Sequence, residues 1–334
     1  MSEVSIEKAV EILKNQGVVA FPTETVYGLG AVISSDAGLR KIFSTKERPF
    51  FDPLIVHVDS IQQAKACFSE WSDIAQTLTK SLWPGPLTIV MKKSALISDL
   101  ITSGLPRVGV RWPQHPIAQQ LIASIGEPIA APSANKFGKT SPTQVEHVFA
   151  EFGSELPIIR GESSQVGIES TVLLINQKSL SILRKGVITK SEISQCLQKF
   201  NLDFYWTEVI EKSLAPGQMK HHYMPTIPLV VVKPGSKIQS HEQIRDFLNQ
   251  NISKLPDVVE DVKMVKPQGE IKSLQQLVLP IHPTDAARLL YSELRRKSSS
   301  GAEALFFKQE DIHQGEIWES IFDRLYKAAS LIID

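Results

Sequence analysis

The chain has 334 residues, 42% of them hydrophobic and 22% charged, and Lys+Arg and Asp+Glu balance at 36 each for a formal net charge of +0. Such a composition belongs to a soluble globular protein of about two domains, and the balance excludes a general nucleic-acid coating protein while leaving room for a local basic site. Two cysteines, Cys67 and Cys196, exclude a disulfide framework and a Cys-based zinc site; no apolar run approaches the ~20 residues of a membrane span, so a cytoplasmic protein without membrane association is expected.

Residues 5–16 place Ile6, Ala9, Val10 and Leu13 at helical spacing, with Gly17 as the stop. Residues 18–21 read as a short buried strand closed by Pro22. Thr23, Glu24, Thr25 and Tyr27 then gather hydroxyls and one carboxylate in a polar turn before Gly28 and Gly30. After a short helix near 36–43 come Lys46 and Arg48. Alternate residues of an extended segment share a face, so both cations are expected to point at one phosphate or carboxylate. A strand at 54–58, helical material at 61–82, and strands at 87–91, 108–111 and 128–132 follow, with a helix at 117–125. A polar loop at 133–142, a helix at 143–152, strands at 156–159, 171–175 and 180–183, and a helix at 191–200 complete an α/β domain with a twisted mixed sheet over residues 1–205. The proline-broken stretch 206–228 is an extended connector able to fold over a site as a lid. Beyond it, strands at 229–232, 277–281 and 304–307 alternate with helices at 241–249, 284–296 and 316–332. This predicts a smaller doubly wound parallel α/β domain over 229–334.

Several loops carry candidate chemistry. Gly138-Lys139-Thr140 ends like a phosphate-binding loop, but Ser133 stands where its first glycine is needed, so that reading is rejected. The same loop still offers Ser133, Asn135 and Ser141 beside two lysines, a set suited to a sugar or phosphate. Arg107, Gly109 and Arg111 share one strand face, where the glycine leaves room for a small ligand and a guanidinium fork suits a carboxylate. Residues 167–171 (GIEST) end in hydroxyls, and Arg184 closes a strand. His221 and His222 are adjacent, so on a strand they point apart and do not form a metal site. Hydrolase-elbow, zincin and dinucleotide motifs are absent.

Taken together, PTETVYGLGA, Lys46-x-Arg48-Pro49, DPLIVHV, WPGPLT, VGVR-x-P-x-HP, APSAN, SPT, GIEST and the APG…HY connector occur in this order over most of residues 1–228. The chain thereby resembles the YrdC/Sua-type threonylcarbamoyl-AMP synthases in their long, two-domain form. The resemblance implies a nucleotidyltransferase that condenses L-threonine, bicarbonate and ATP to threonylcarbamoyl-AMP and pyrophosphate. The product would pass to a tRNA threonylcarbamoyl transferase complex without direct tRNA binding by this chain. It implies ATP contacts from Lys46, Arg48, Ser133, Asn135, Ser141, Arg184 and His221, with Lys46 and Arg48 catalytic. It likewise implies that Thr23, His57, Arg111 and Ser170 hold threonine, Ala131 lending backbone, and that Mg²⁺ arrives with ATP. ATP, the threonine carboxylate and the carbamate are all anionic, so a cation-rich, carboxylate-poor pocket is expected. The connector reads PGQMKHHY where the family more often has Met directly after Pro-Gly, and Lys185 stands where proline is usual. The competing readings are an RNA-binding module without catalysis and a nucleotide hydrolase built on Lys139.

Overall fold

The computed structural model describes residues 3–208, 222–255, 258–259, 262–263, 267 and 269–334. These form two units, one of residues 3–136 and 142–208, the other of residues 137–141 with those from 222 onward.

In the first unit, short polar residues set the helix starts. Ser5, Ser35, Ser60 and Ser72 precede α1 (Ile6–Lys14), α2 (Asp36–Lys46), α3 (Ile61–Cys67) and α4 (Asp73–Leu82), and each hydroxyl accepts a backbone N–H of the first turn. The run 61–82 forms two helices because Phe68 turns extended and bridges Lys93, and the cap at Ser72 starts the second helix. Helices α5 (Asp99–Thr102), α6 (Pro116–Ile125), α7 (Val145–Phe152) and α8 (Lys190–Lys199) follow. The strands are β1 (Val19–Phe21), β2 (Gly28–Val32), β3 (Ile55–His57), β4 (Leu87–Lys92), β5 (Arg107–Arg111), β6 (Ile129–Ala130), β7 (Thr171–Asn176), β8 (Ser179–Arg184) and β9 (Tyr205–Trp206). Among the described residues they make one nine-stranded sheet in the order β1-β2-β6-β3-β5-β4-β7-β8-β9. Its pairings are of both senses, such as parallel β3–β5 and antiparallel β4–β5, so the expected mixed sheet forms.

Strand alternation decides which face carries chemistry. Val56, Leu87, Ile89, Val108 and Val110 enter a core with Leu39, Ile42 and Phe43 of α2 and Ile74 and Leu78 of α4. Their alternates, His57, Thr88, Gly109 and Arg111, turn to the opposite face. Strand β2 is an element that the sequence reading took as part of the turn. Its glycines hide the strand signal, yet packing requires them: a Cβ on Gly30 would lie 2.6 Å from Ile129 Cγ2 and 2.8 Å from Phe21 Cε1. Residues 156–159 make only isolated bridges, Ile158 pairing with Glu3 and Ala20, where a strand was expected.

The second unit has a four-stranded, all-parallel sheet in the order β13-β14-β10-β15, from β10 (Leu229–Val232), β13 (Leu274–Gln276), β14 (Ala304–Lys308) and β15 (Leu331–Ile333). A separate ribbon pairs β11 (Val258–Val259) with β12 (Val262–Lys263). Helix α9 (His241–Gln250) sets Ile244 and Leu248 against Val230, Val232 and Phe306. From the opposite face, Phe322 of α11 (Glu316–Ala328) meets Phe307 at 6.5 Å between ring centres. Helix α10 (Pro283–Ser298) packs on α11, completing a doubly wound arrangement. Two expectations shift. The strand placed at 277–281 forms at 274–276, because its register follows β14 and Pro280 has no N–H to donate. The last helix ends at Ala328, and the apolar run after it becomes β15, paired with β10, since periodicity alone does not tell a short buried strand from a helix end.

Among the described residues no helix is long and apolar enough to cross a membrane. The connector's residues 209–221, including Lys220 and His221, lie outside the described residues, so the middle of the expected lid and the expected ATP contact of His221 do as well.

Candidate functional site

Lys46 is the last residue of α2, not part of an extended run. Glu47 follows in the left-handed conformation at φ 52°, and Arg48 N–H closes the helix on Phe43 O at 2.9 Å. A helix end and a left-handed turn, not strand alternation, therefore aim these two cations. Lys46 Nζ donates to Ser133 O at 2.5 Å and also to Asn135 O, tying α2 to the polar loop. Burial pushes its amine well below the ordinary lysine range, and the charge of Arg48 adds to this. Arg48 donates to Asp52 O at 3.2 Å and Pro53 O at 2.9 Å and pairs with the Asp52 carboxylate at 2.9 Å. Burial raises the Asp52 carboxyl, against the pull of Arg48, Lys46 and Arg184. Those opposing charges show that the three cations share one local field.

The second half of the site is built on Arg111 at the end of β5. It is 3% exposed, and its guanidinium donates to Glu24 Oε1 at 2.8 Å, Thr23 Oγ1 at 3.4 Å and His57 Nε2 at 3.0 Å. His57 Nδ1 faces Ile55 O at 3.2 Å, which makes Nδ1 the protonated nitrogen and leaves Nε2 to accept from Arg111. Burial first, then Arg111, holds His57 well below the usual histidine range, so the ring is neutral. Glu24 Oε2 also accepts Gln114 N–H at 3.1 Å. Gly109, two residues before Arg111, has Thr88 Cγ2 only 3.2 Å from where a Cβ would stand. This glycine keeps the floor beside the arginine open.

Ser170 joins the two halves. Its Oγ lies 2.7 Å from Thr88 Oγ1 and accepts from Arg184 Nη2 at 3.1 Å, while Ser170 O accepts from Arg184 Nε at 3.1 Å. Arg184 in turn lowers the pKa of Arg111, behind the larger effect of burial. Ala131 N–H already donates to Ile55 O at 2.9 Å, so its carbonyl is the backbone group left to lend. Ser133 and Asn135 are in place through the carbonyls that Lys46 grips.

The structure thus gathers Thr23, Lys46, Arg48, His57, Arg111, Ala131, Ser133, Asn135, Ser170 and Arg184 in the first unit, while Ser141 is grouped with the second. There, Met224 N–H donates to Gly138 O at 2.8 Å, Thr140 N–H to Met224 O at 3.0 Å, and Thr140 Oγ1 to Tyr223 O at 3.0 Å. The Gly138-Lys139-Thr140 run is therefore a turn at Gly138 (φ 74°) followed by a bridge from Lys139 to Met224, and α7 begins only at Val145. A phosphate-wrapping loop opening a helix is not its geometry.

A carboxylate-poor pocket is not what the chain builds. Glu24 (5% exposed) and Asp52 (5%) each pair with an arginine expected to bind ligand, because a buried guanidinium without a counter-charge is strongly disfavoured. Sequence reasoning left both out of the site. The i,i+4 spacing of Arg48 and Asp52 was a usable signal; nothing local pairs Glu24 with a residue 87 positions away. Among the described residues, no group of three His, Cys, Asp or Glu side chains is placed to hold a metal ion.

Comparison with known proteins adds an independent line. Residues 11–186 match the Sua5/YciO/YrdC family model, described as telomere recombination, and residues 188–330 match the model described as threonylcarbamoyl-AMP synthase, C-terminal domain. The chain is 32% identical to a threonylcarbamoyl-AMP synthase of Pyrococcus abyssi over 98% of its own length and 95% of the relative's. It is 39% identical to that of Bacillus subtilis over 74% and 71%. The crystal structure of P. abyssi Sua5 complexed with L-threonine superposes with a TM-score of 0.80 at 30% identity, covering 99% of this chain and 97% of that one.

Proposed function

This chain belongs to the Sua5/YciO/YrdC family, and on that premise we propose that it is an L-threonylcarbamoyladenylate synthase, a nucleotidyltransferase that supplies tRNA threonylcarbamoyladenosine modification. The observation that carries the reading is the buried cation cluster. Arg111, set by Glu24, Thr23 and His57, faces the same local field as Lys46, Arg48 and Arg184. An amino-acid carboxylate suits the first arginine, and a triphosphate suits the other three cations.

In the reaction, the neutral amine of L-threonine adds to CO2 derived from bicarbonate, forming a C–N bond and releasing one proton to give a carbamate. A carbamate oxygen attacks the α-phosphorus of ATP; the bond from that phosphorus to the bridging oxygen of the β-phosphate breaks, and pyrophosphate leaves. The residues contribute position and charge neutralisation. Mg²⁺ accompanies the phosphates and neutralises part of their charge. The product passes to the transferase that acts on tRNA; the enzyme works in the cytoplasm and needs no tRNA contact of its own. Glu24 and Asp52 belong to this machinery as the groups that fix the two arginines.

The test is pyrophosphate release from ATP with threonine and bicarbonate each omitted in turn. Dependence on both is the expected result. Release of phosphate from ATP alone would favour a hydrolase, and salt-sensitive RNA binding with no turnover would favour a binding module.

A further inference from the structure

Tyr27 closes the polar turn, yet none of the site contacts described above uses its phenol. The side chain is fully buried, and its Oη both donates to Gly161 O at 3.0 Å and accepts Gly161 N–H at 3.1 Å. Burial pushes this hydroxyl up to about 12, so it stays protonated and keeps both bonds across the working range. Gly161 is pinned from its other side as well. A Cβ there would stand 2.5 Å from Pro22 Cγ and 2.9 Å from Pro22 Cβ, so the loop backbone presses directly on the turn.

From Gly161 onward the loop is zipped to the residues that hold Arg111. Ser164 Oγ donates to Thr23 O at 3.0 Å, and Val166 N–H donates to Glu24 O at 2.8 Å. Thr23 and Glu24 are two of the three partners of the Arg111 guanidinium, and the same loop leads on to Ser170. The phosphate side takes no bond from the Tyr27 hydroxyl: the ring shares a cluster with Ala134, packing that a phenylalanine keeps, and Ser170 is held to Arg184 by its own Oγ and carbonyl. That side is joined to Tyr27 through the backbone, Ala134 N–H donating to Tyr27 O at 2.7 Å, a bond that any side chain at 27 leaves in place.

We propose that Tyr27 is a positioning residue for the threonine half of the site: through Gly161 its hydroxyl sets the backbone of Thr23 and Glu24, and so the aim of Arg111, without bearing on the nucleotide half. This rests on the synthase reading given above.

The experiment compares Tyr27→Phe with the wild type in the full chain, measuring pyrophosphate release against threonine and ATP separately, with a thermal melt of each. The expected result is a rise of about tenfold in KM for threonine, the size of one lost hydrogen-bond set at a buried position, with KM for ATP and kcat within about twofold. Ser164→Ala, which removes the bond to Thr23 O at the far end of the same path, is expected to show the same split and carries the test if Tyr27→Phe does not fold. An unchanged KM for threonine, or equal rises for both substrates alongside a lower melting temperature, overturns the inference and leaves Tyr27 a packing residue. A wild type that makes no pyrophosphate in the presence of threonine overturns the synthase reading instead.

Discussion

Removing the Glu24 carboxylate leaves Arg111 as a buried cation with no counter-charge. In the native chain the two side chains are 7% and 4% exposed and meet at 2.8 Å, and Glu24 also takes the Gln114 N–H at 3.1 Å. Breaking one side of a buried pair typically costs about 3–5 kcal/mol, most of it the desolvated charge left behind. For a unit of this size, about 2–4 °C of melting temperature goes with each kcal/mol, so Glu24→Ala lowers the transition of the first unit by roughly 6–20 °C. Differential scanning calorimetry reads this directly. The double variant Glu24→Ala/Arg111→Leu leaves no unpaired charge and recovers a large part of the loss, since replacing both partners is often close to neutral. A double variant that loses the sum of the two single losses, or a Glu24→Ala melt within about 2 °C of the wild type, refutes the view that this carboxylate exists to hold Arg111.

Lys46→Ala and Arg48→Ala are each expected to lower pyrophosphate formation by about 100-fold or more, the scale of losing one preorganised charge at a reacting phosphate; Lys139→Ala stays within a few-fold, and equal losses at all three would reassign the nucleotide site. His57 is held below its ordinary 6.5 by burial and Arg111, so below that pH the unfolded chain binds a proton that the folded one refuses. Its contribution therefore makes stability fall as pH drops from about 6.5 toward the depressed value, and in urea titrations at several pH values His57→Gln flattens that slope. Gly30→Ala drives a methyl into Ile129 and Phe21 at under 3 Å; overpacking of this kind costs about 1–3 kcal/mol, read as a lower denaturation midpoint.

Much of the architecture was legible in local pattern. Strand β10 at Leu229–Val232 appears where the apolar run places it, and the α/β alternation yields a mixed sheet in one unit and a parallel one in the other. The ordered loop motifs pointed to the family before any contact was known, and matches along the chain support that membership. These features are readable because helix period, strand alternation and turn residues act within a few positions of one another.

What escaped depends on contacts between distant segments. Strand β2 has glycines because Phe21 and Ile129 leave no room for side chains, which only the packed neighbours reveal. Lys46 and Arg48 are aimed by a left-handed turn whose helix continues farther than its apolar pattern indicates. Glu24 meets Arg111 only after strand pairing sets β5 beside β3 and folds the turn over them, and Tyr27 meets Gly161 across 134 residues. The sequence alone determined the ordered loop motifs, and the residue types they carry, that place the chain in its family. Tertiary structure decided which carboxylate neutralises which cation, because burying a charge requires a partner and the nearest partner in space is not the nearest along the chain.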